Sequence, residues 1–147
     1  DLVYEPGIYY RPVGQTDSEQ AFCKILETLR QHFPLEKPPL DQLYPVLNSI
    51  TQVLATAGIF NYLLSDGEHF FAHCTTKLCY IVRRSPFAAA HLIDEDVTVD
   101  FQELTRPSDR VAIIATTPLT DNETWIVIPP GELLVFQNGT PLMQHSV

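Results

Sequence analysis

The densest group of reactive side chains is Thr16-Asp17-Ser18-Glu19, directly ahead of an apolar stretch. A Thr and a Glu three residues apart form the capping-box pattern, in which each side chain accepts the other's free backbone N–H. That pattern does not require Asp17. An acid in the first helical turn interacts favourably with the helix dipole, which also keeps it ionised. Asp17 is therefore either a further contributor to the helix start or a fixed carboxylate, beside an aromatic loop, that could hold an ammonium group. His69 and His73 lie four apart, a spacing that suits a shared metal on a helix. On a strand, the expected setting, four residues span about 13 Å, too far for one ion. His32, His91 and His145 have no partner at ligand spacing, so no metal site is expected. Cys23 lies near the apolar face of a helix and reads as a small core residue. Cys74 and Cys79 flank a turn, where they either face each other across a hairpin or pack inward; packing is the expectation. None of the three sits beside a glycine-rich turn or a histidine partner, so none is assigned as a nucleophile. The Asn122-Glu123-Thr124 and Asn138-Gly139-Thr140 matches to the glycosylation pattern are read as chance. No phosphate-cradling glycine motif occurs, and no cofactor is expected.

The elements that must position these residues follow from periodicity. Residues 1–15 are punctuated by Pro6, Gly7, Pro12 and Gly14 between Tyr4, Tyr9 and Tyr10, which predicts an ordered loop. Ala21, Phe22, Ile25, Leu26, Leu29 and Phe33 recur at helical spacing, which predicts an amphipathic helix over 17–33, stopped by Pro34. Leu40, Leu43, Leu47, Ile50, Leu54 and Ala57 predict a second helix ending at Gly58. Pro45 lacks an N–H and clashes with the preceding turn, so this helix either begins near Tyr44 or is kinked there. The period then changes to that of strands: 59–64, a turn at Ser65–Glu68, and 69–74 paired with 78–84 as a second hairpin. Residues 85–109 carry a weakly patterned acidic block. A buried strand is expected over 110–116, a short one over 126–128, and one over 133–137 before the Asn138-Gly139 turn. Two helices followed by mostly antiparallel strands make an α+β fold with helices on a sheet.

Composition narrows the classes of function. The 147 residues fit one domain, and 45% hydrophobic with 18% charged residues is globular composition. Nine basic residues against 18 acidic ones leave a formal charge of −9, which argues against non-specific binding of nucleic acid or anionic membrane. No apolar run reaches the roughly 18 residues of a membrane span. Three cysteines exclude a disulfide scaffold and favour a reducing, cytoplasmic location. The chain starts at Asp1 without a leader, so a trimmed, cleaved or partial chain is expected.

The run Arg11-Pro12-Val13-Gly14-Gln15-Thr16-Asp17-Ser18-Glu19 resembles a segment of class II glutamine amidotransferases, of the small stand-alone YafJ-like branch. The similarity continues through Phe60-Asn61-Tyr62-Leu63-Leu64-Ser65-Asp66-Gly67, through Ile114-Ala115-Thr116-Thr117-Pro118-Leu119-Thr120-Asp121-Asn122-Glu123-Thr124-Trp125, and through Pro130-Gly131-Glu132, in the family's order. The Thr-Asp-Ser-Glu piece is shared by class II amidotransferases generally, and the piece ending at Trp125 is narrower. The resemblance implies a four-layer αββα sandwich of the N-terminal-nucleophile hydrolase type. It also implies hydrolysis of the glutamine side-chain amide to glutamate and ammonia through a thioester on an N-terminal Cys. It puts Asp17 on the acidic residue that binds the α-ammonium group of glutamine, with Thr16 and Glu19 as the cap supporting that site. The family's nucleophile, its Arg for the substrate carboxylate and its Asn-Gly oxyanion pair all precede the Thr-Asp-Ser-Glu segment. Here Asp1 is the first residue and none of the fifteen residues before Thr16 supplies them. Asn138-Gly139 follows Asp17 in a hairpin turn and cannot substitute. The resemblance thus makes 1–147 the C-terminal portion of a single domain with no catalytic residue of its own. Its partners are glutamine and the missing N-terminal segment, with a second copy of the chain as a further candidate. The alternative is a non-catalytic binding or interaction module of the same fold.

Overall fold

The computed structural model describes residues 9–85, 89–93, 98–99 and 109–143, and the chain divides into two compact units, residues 1–60 and 61–147. The expectations for 1–8, for most of the acidic block in 85–109 and for His145 lie outside the described residues.

The first unit holds α1 (Asp17–His32) and α2 (Leu40–Ala55), packed on each other. Helix α1 opens where Thr16, in extended conformation, accepts the Glu19 N–H, and it ends at Phe33 ahead of Pro34. Its buried residues are Ala21, Cys23, Ile25 and Glu27, while Phe22, expected inside, is 47% exposed. The buried set forms two i,i+4 rows rather than one stripe. Beyond its packing on α2, the helix is lined by the preceding chain at Tyr9 and Tyr10, which Glu27 holds. Helix α2 runs through Pro45 from Leu40, so it does not begin near Tyr44. Pro39 caps it, with Gln42 and Leu43 donating to the Pro39 carbonyl at 3.1 and 3.0 Å. Pro45 removes a single helical donor near this end. The apolar row Leu43, Leu47, Ile50 and Leu54 outweighs that loss, and buried Thr51 satisfies its hydroxyl on the Leu47 carbonyl at 2.7 Å.

The second unit is built from antiparallel strands. These are β1 (Tyr62–Ser65), β2 (Phe70–His73), β3 (Leu78–Arg84), β4 (Ala90–His91), β5 (Thr98–Val99), β6 (Arg110–Ala115), β7 (Ile126–Ile128), β8 (Leu133–Gln137) and β9 (Thr140–Met143). One sheet has the order β1-β2-β8-β9, a second β6-β3-β7, and β4 pairs with β5. The turns at Gly67 (φ 89°) and at Asn138-Gly139 (φ 50° and 69°) form where expected; the second joins β8 to β9 through a two-residue loop.

The expected hairpin of 69–74 with 78–84 does not form. Strand β2 has both edges occupied, by β1 and β8, and β3 pairs instead with β6 and β7. Residues 74–78 therefore cross between sheets. Asn61 shapes the crossing by accepting the Thr75 and Thr76 N–H groups on Oδ1 at 2.7 and 3.2 Å. Cys74 fixes its start through backbone bonds to Gly131 and Glu132 at 2.7 and 3.2 Å. This use of Asn61 also starts β1 at Tyr62 rather than at Ile59, which is exposed. Strand β6, expected to be buried, is only partly covered because it is an edge strand among the described residues. The two larger sheets face each other across a shared core, with Ala72, Cys74, Leu134 and Phe136 meeting Leu78, Tyr80 and Ile128. Tyr80 and Phe136 meet edge to face at 5.3 Å, a geometry that adds about 0.5–1.5 kcal/mol beyond area burial.

Candidate functional site

Three carboxylates serve the start of α1, and the structure gives them different tasks. Glu27 is buried and accepts the N–H groups of Tyr9 and Tyr10 on Oε2 at 2.9 and 3.1 Å, and Gln31 Nε2 on Oε1 at 3.1 Å. Glu19 accepts the N–H groups of Val13 and Gly14, the latter at 2.8 Å. The preceding chain is thus pinned antiparallel to the helix at two points. The geometry closes. Eight helical residues rise about 12 Å, and the four-residue step from Tyr9 to Val13, or from Tyr10 to Gly14, spans about 13 Å when extended. Gly14 belongs to this fit, since a Cβ there would stand 2.6 Å from Glu19 Oε2 and displace the carboxylate from its hydrogen bonds. Arg30 adds to the clamp from the next turn, its guanidinium 5.6 Å from the Tyr9 ring centroid.

Half of the expected capping box is therefore present. Thr16 Oγ1 accepts the Glu19 N–H at 3.3 Å. The returning carboxylate reaches past Thr16 to Val13 and Gly14, because the loop presents two aligned donors there. Asp17 stands apart from both pins. It is exposed, and its Oδ1 accepts only from its neighbour Ser18, from the N–H at 2.8 Å and the hydroxyl at 3.5 Å. Its Oδ2 accepts no hydrogen bond from the described residues, which leaves a fixed carboxylate edge open at the positive end of α1. Glu27 escaped the sequence reading; the available signal was an acid in the i+4 row below Cys23, eight residues after Glu19.

A second polar system lies in the 61–147 unit. Arg83 donates from Nε and Nη2 to the two carboxylate oxygens of Glu123, the Nε bond being 2.8 Å. Thr120, itself buried, donates to Glu123 at 2.7 Å and accepts from Trp125 Nε1 at 3.0 Å. The Arg83 hydrogen bonds hold the Glu123 carboxyl below its ordinary range; burial opposes them and Thr120 assists. Its neighbours Asp121 and Asn122 bind His91 at 3.0 Å through its ring and its backbone N–H respectively, and Asn122 Nδ2 donates to the Ala89 carbonyl at 3.0 Å. The run from Thr120 to Trp125 is thereby a clasp on residues 89–93, assembled by its own side chains.

The remaining candidates are structural in their surroundings. Asp66 accepts the Glu68 and His69 N–H groups at 2.8 and 2.6 Å, and the His69 ring at 3.1 Å. His73 ends β2, with its ring 5.5 Å from that of Tyr62. No group of three or more His, Cys, Asp or Glu side chains among the described residues is placed to hold a metal ion. Cys23, Cys74 and Cys79 are all free and buried. Cys74 and Cys79 do not face each other, because the first closes one sheet and the second lies in the other. Burial pushes the Cys79 thiol up, away from the thiolate form, and the thiol donates to the Ala115 carbonyl at 3.4 Å. No helix among the described residues is long and apolar enough to cross a membrane.

Residues 3–147 match the family described as "Glutamine amidotransferases class-II". The chain is 47% identical over 130 residues to the Escherichia coli (strain K12) protein named "Putative glutamine amidotransferase YafJ", covering 88% of this chain and 51% of that one. It is 40% identical over 136 residues to a Haemophilus influenzae protein named "Putative glutamine amidotransferase", covering 92% and 46%. A Pseudomonas aeruginosa crystal structure, described as a "predicted glutamine amidotransferase", superposes with a TM-score of 0.87 at 48% identity, over 98% of this chain and 56% of that one. The chain thus spans about half the length of the relatives it matches.

Proposed function

Starting from the fact that the chain belongs to the class II glutamine amidotransferase family, we propose that it is the C-terminal portion of a domain that hydrolyses the glutamine side-chain amide to glutamate and ammonia. In this reading Asp17 binds the α-ammonium group of the substrate. The nucleophile is an N-terminal Cys carried by a segment outside 1–147, and attack on the amide carbon gives a thioester that water then opens. In this reading the chain is part of a four-layer αββα sandwich of the N-terminal-nucleophile hydrolase type. The free cysteines fit a cytoplasmic setting.

The observation that carries the proposal is the division of labour among the three acids. Glu19 and Glu27 hold backbone, while Asp17 keeps an open carboxylate edge. The chain on its own releases no glutamate, because its cysteines are internal and buried.

Asp17→Asn in the longer, N-terminally complete protein tests the assignment. Asn still suits a helix start, so the melting temperature stays near that of the parent. Removing one partner of a desolvated charge pair costs about 2–5 kcal/mol, and kcat/KM falls accordingly, mainly through KM, because the ammonium group lies away from the reacting amide. A variant with lowered melting temperature and unchanged KM would make Asp17 part of the helix start only. A complete protein with no glutaminase activity in either form would favour the non-catalytic module.

A further inference from the structure

The Glu27 carboxylate is buried in order to hold a stretch of chain that is itself largely exposed. The side chain is 3% exposed, and a carboxylate is kept at such a position only where hydrogen bonds compensate for its lost water. It takes the N–H groups of Tyr9 and Tyr10 on Oε2 at 2.9 and 3.1 Å, and Gln31 fixes the other oxygen at 3.1 Å. An exposed stretch can satisfy its backbone with water instead. Tyr9 is 57% and Val13 99% exposed, so the stretch covers little apolar surface to offset the burial of a charge. What the pin adds is direction. Glu19 alone, holding Val13 and Gly14, would leave the preceding chain free to pivot at Gly14, where the lack of a Cβ widens the allowed backbone angles. A second hold eight helical residues further along removes that pivot. Pro12 stiffens the span between the two holds. The path from Tyr9 to Thr16 is thereby fixed along α1, and Asp17 follows directly.

We infer that Glu27 is a positioning residue for amide hydrolysis: it sets the line on which the chain before Tyr9 leaves α1, and so the register between the nucleophile and Asp17. The inference rests on the proposal that a segment preceding 1–147 carries the nucleophile, because that segment reaches α1 through the stretch that Glu27 holds. Glutamine is a short substrate. With its α-ammonium on Asp17, the place of its amide is fixed by its own carbon chain, and the attacking sulfur must meet the amide carbon there. Asp17 lies in the first turn of α1, and its carboxylate is oriented by the Ser18 N–H at 2.8 Å. Neither feature depends on Glu27. Loss of the pin therefore leaves the ammonium subsite in place and shifts the reacting end against it. A displacement of about 1 Å remote from the chemistry costs about a hundredfold in rate. The effect falls on kcat, whereas loss of the ammonium contact falls on KM.

The test measures glutamate release by the longer, N-terminally complete protein at a temperature well below the melting transition of each variant. Glu27→Ala is expected to lower kcat at least about tenfold with KM within about twofold of the parent, the reverse of the split expected for Asp17→Asn. Glu27→Gln, whose amide oxygen still accepts, restores part of the loss. Gln31→Ala, at an exposed position, releases one oxygen of the Glu27 carboxylate and gives a smaller fall in kcat with KM again unchanged. Backbone hydrogen exchange at Tyr9 and Tyr10 accelerates in the order of the kcat losses. The inference is overturned if exchange accelerates in Glu27→Ala while kcat stays at the parent value, since Glu27 then only holds the loop. A rise in KM with kcat unchanged also overturns it, by placing the effect at the ammonium subsite. If Glu27→Ala does not fold, Gln31→Ala decides by the same split, a parental kcat being the negative result. A parent without glutaminase activity removes the proposed function and the inference with it, whereas an active parent with an unaffected Glu27→Ala removes the inference alone.

Discussion

The two polar systems of this protein use carboxylates in opposite ways. At the start of α1, Glu19 and Glu27 accept backbone N–H groups from a loop, and their neighbour Asp17 keeps an oxygen open. In the second unit, Glu123 is bound by Arg83 and Thr120, and Asp121 and Asn122 bind the segment around His91. The narrower motif of the two, ending at Trp125, is thus occupied with holding its own structure. The broader Thr-Asp-Ser-Glu motif is the one that leaves a charged group open. Specificity of a sequence pattern and availability for chemistry are separate properties, because a polar residue that is needed to satisfy buried groups is not free to bind anything else.

The strongest way to break this contrast is Glu123→Gln. The substitution keeps the shape but leaves the Arg83 charge without its counter-ion in a site where both side chains are mostly covered. Breaking such a pair costs about 3 kcal/mol, to be read as a lowered denaturation midpoint with an unchanged slope. The same variant carries a pH signature. The folded-state pKa of Glu123 is depressed by its Arg83 hydrogen bonds, so its contribution is complete above the ordinary Glu range near about 4.3 and is lost as pH falls through the folded value. The parent therefore loses this share of its stability on acidification below that range, and Glu123→Gln does not. Equal acid sensitivity in the two proteins would remove Glu123 from the account.

Glu27→Ala sharpens the other side. It leaves the N–H groups of Tyr9 and Tyr10 without their acceptor, at about 1–3 kcal/mol for each group that water does not reach. Protease cleavage in the 9–14 stretch should rise. Glu27→Gln should recover part of the loss, since its amide oxygen can still accept. Full recovery would show that the charge contributes nothing. The smallest effect belongs to Thr16→Ala, which removes one cap hydrogen bond and lowers stability by about 1 kcal/mol; under the proposed function, KM in the N-terminally complete protein changes less than for Asp17→Asn. A larger kinetic change than that of Asp17→Asn would reverse the roles given to cap and ligand.

Where helical or strand period was strong, the elements could be read directly. The spacing from Ala21 to Phe33 placed α1 to within a residue, and Asn138-Gly139 placed the β8–β9 turn. The one-stripe reading of α1 failed at Phe22 and Glu27 because the helix is covered by chain on more than one side, which period alone does not encode. The start near Tyr44 failed for a related reason. A single lost donor near the start of α2 is small beside the burial of four apolar residues, and that balance is set by packing.

By itself, the sequence determined the α+β composition, the helix start at Thr16, the candidate carboxylate Asp17 and the class II amidotransferase resemblance. These rest on local capping, local period and residue identity, all of which are written within a few consecutive positions. Tertiary structure decided that β2 and β3 part into different sheets and that Glu19 and Glu27 anchor the loop. It also decided that Cys74 and Cys79 never meet. Each of these depends on which distant segment occupies a strand edge or offers a free N–H. Turn and strand propensity describe a segment's own preference, whereas the partner that satisfies its backbone and covers its apolar face is chosen only when the whole chain has folded.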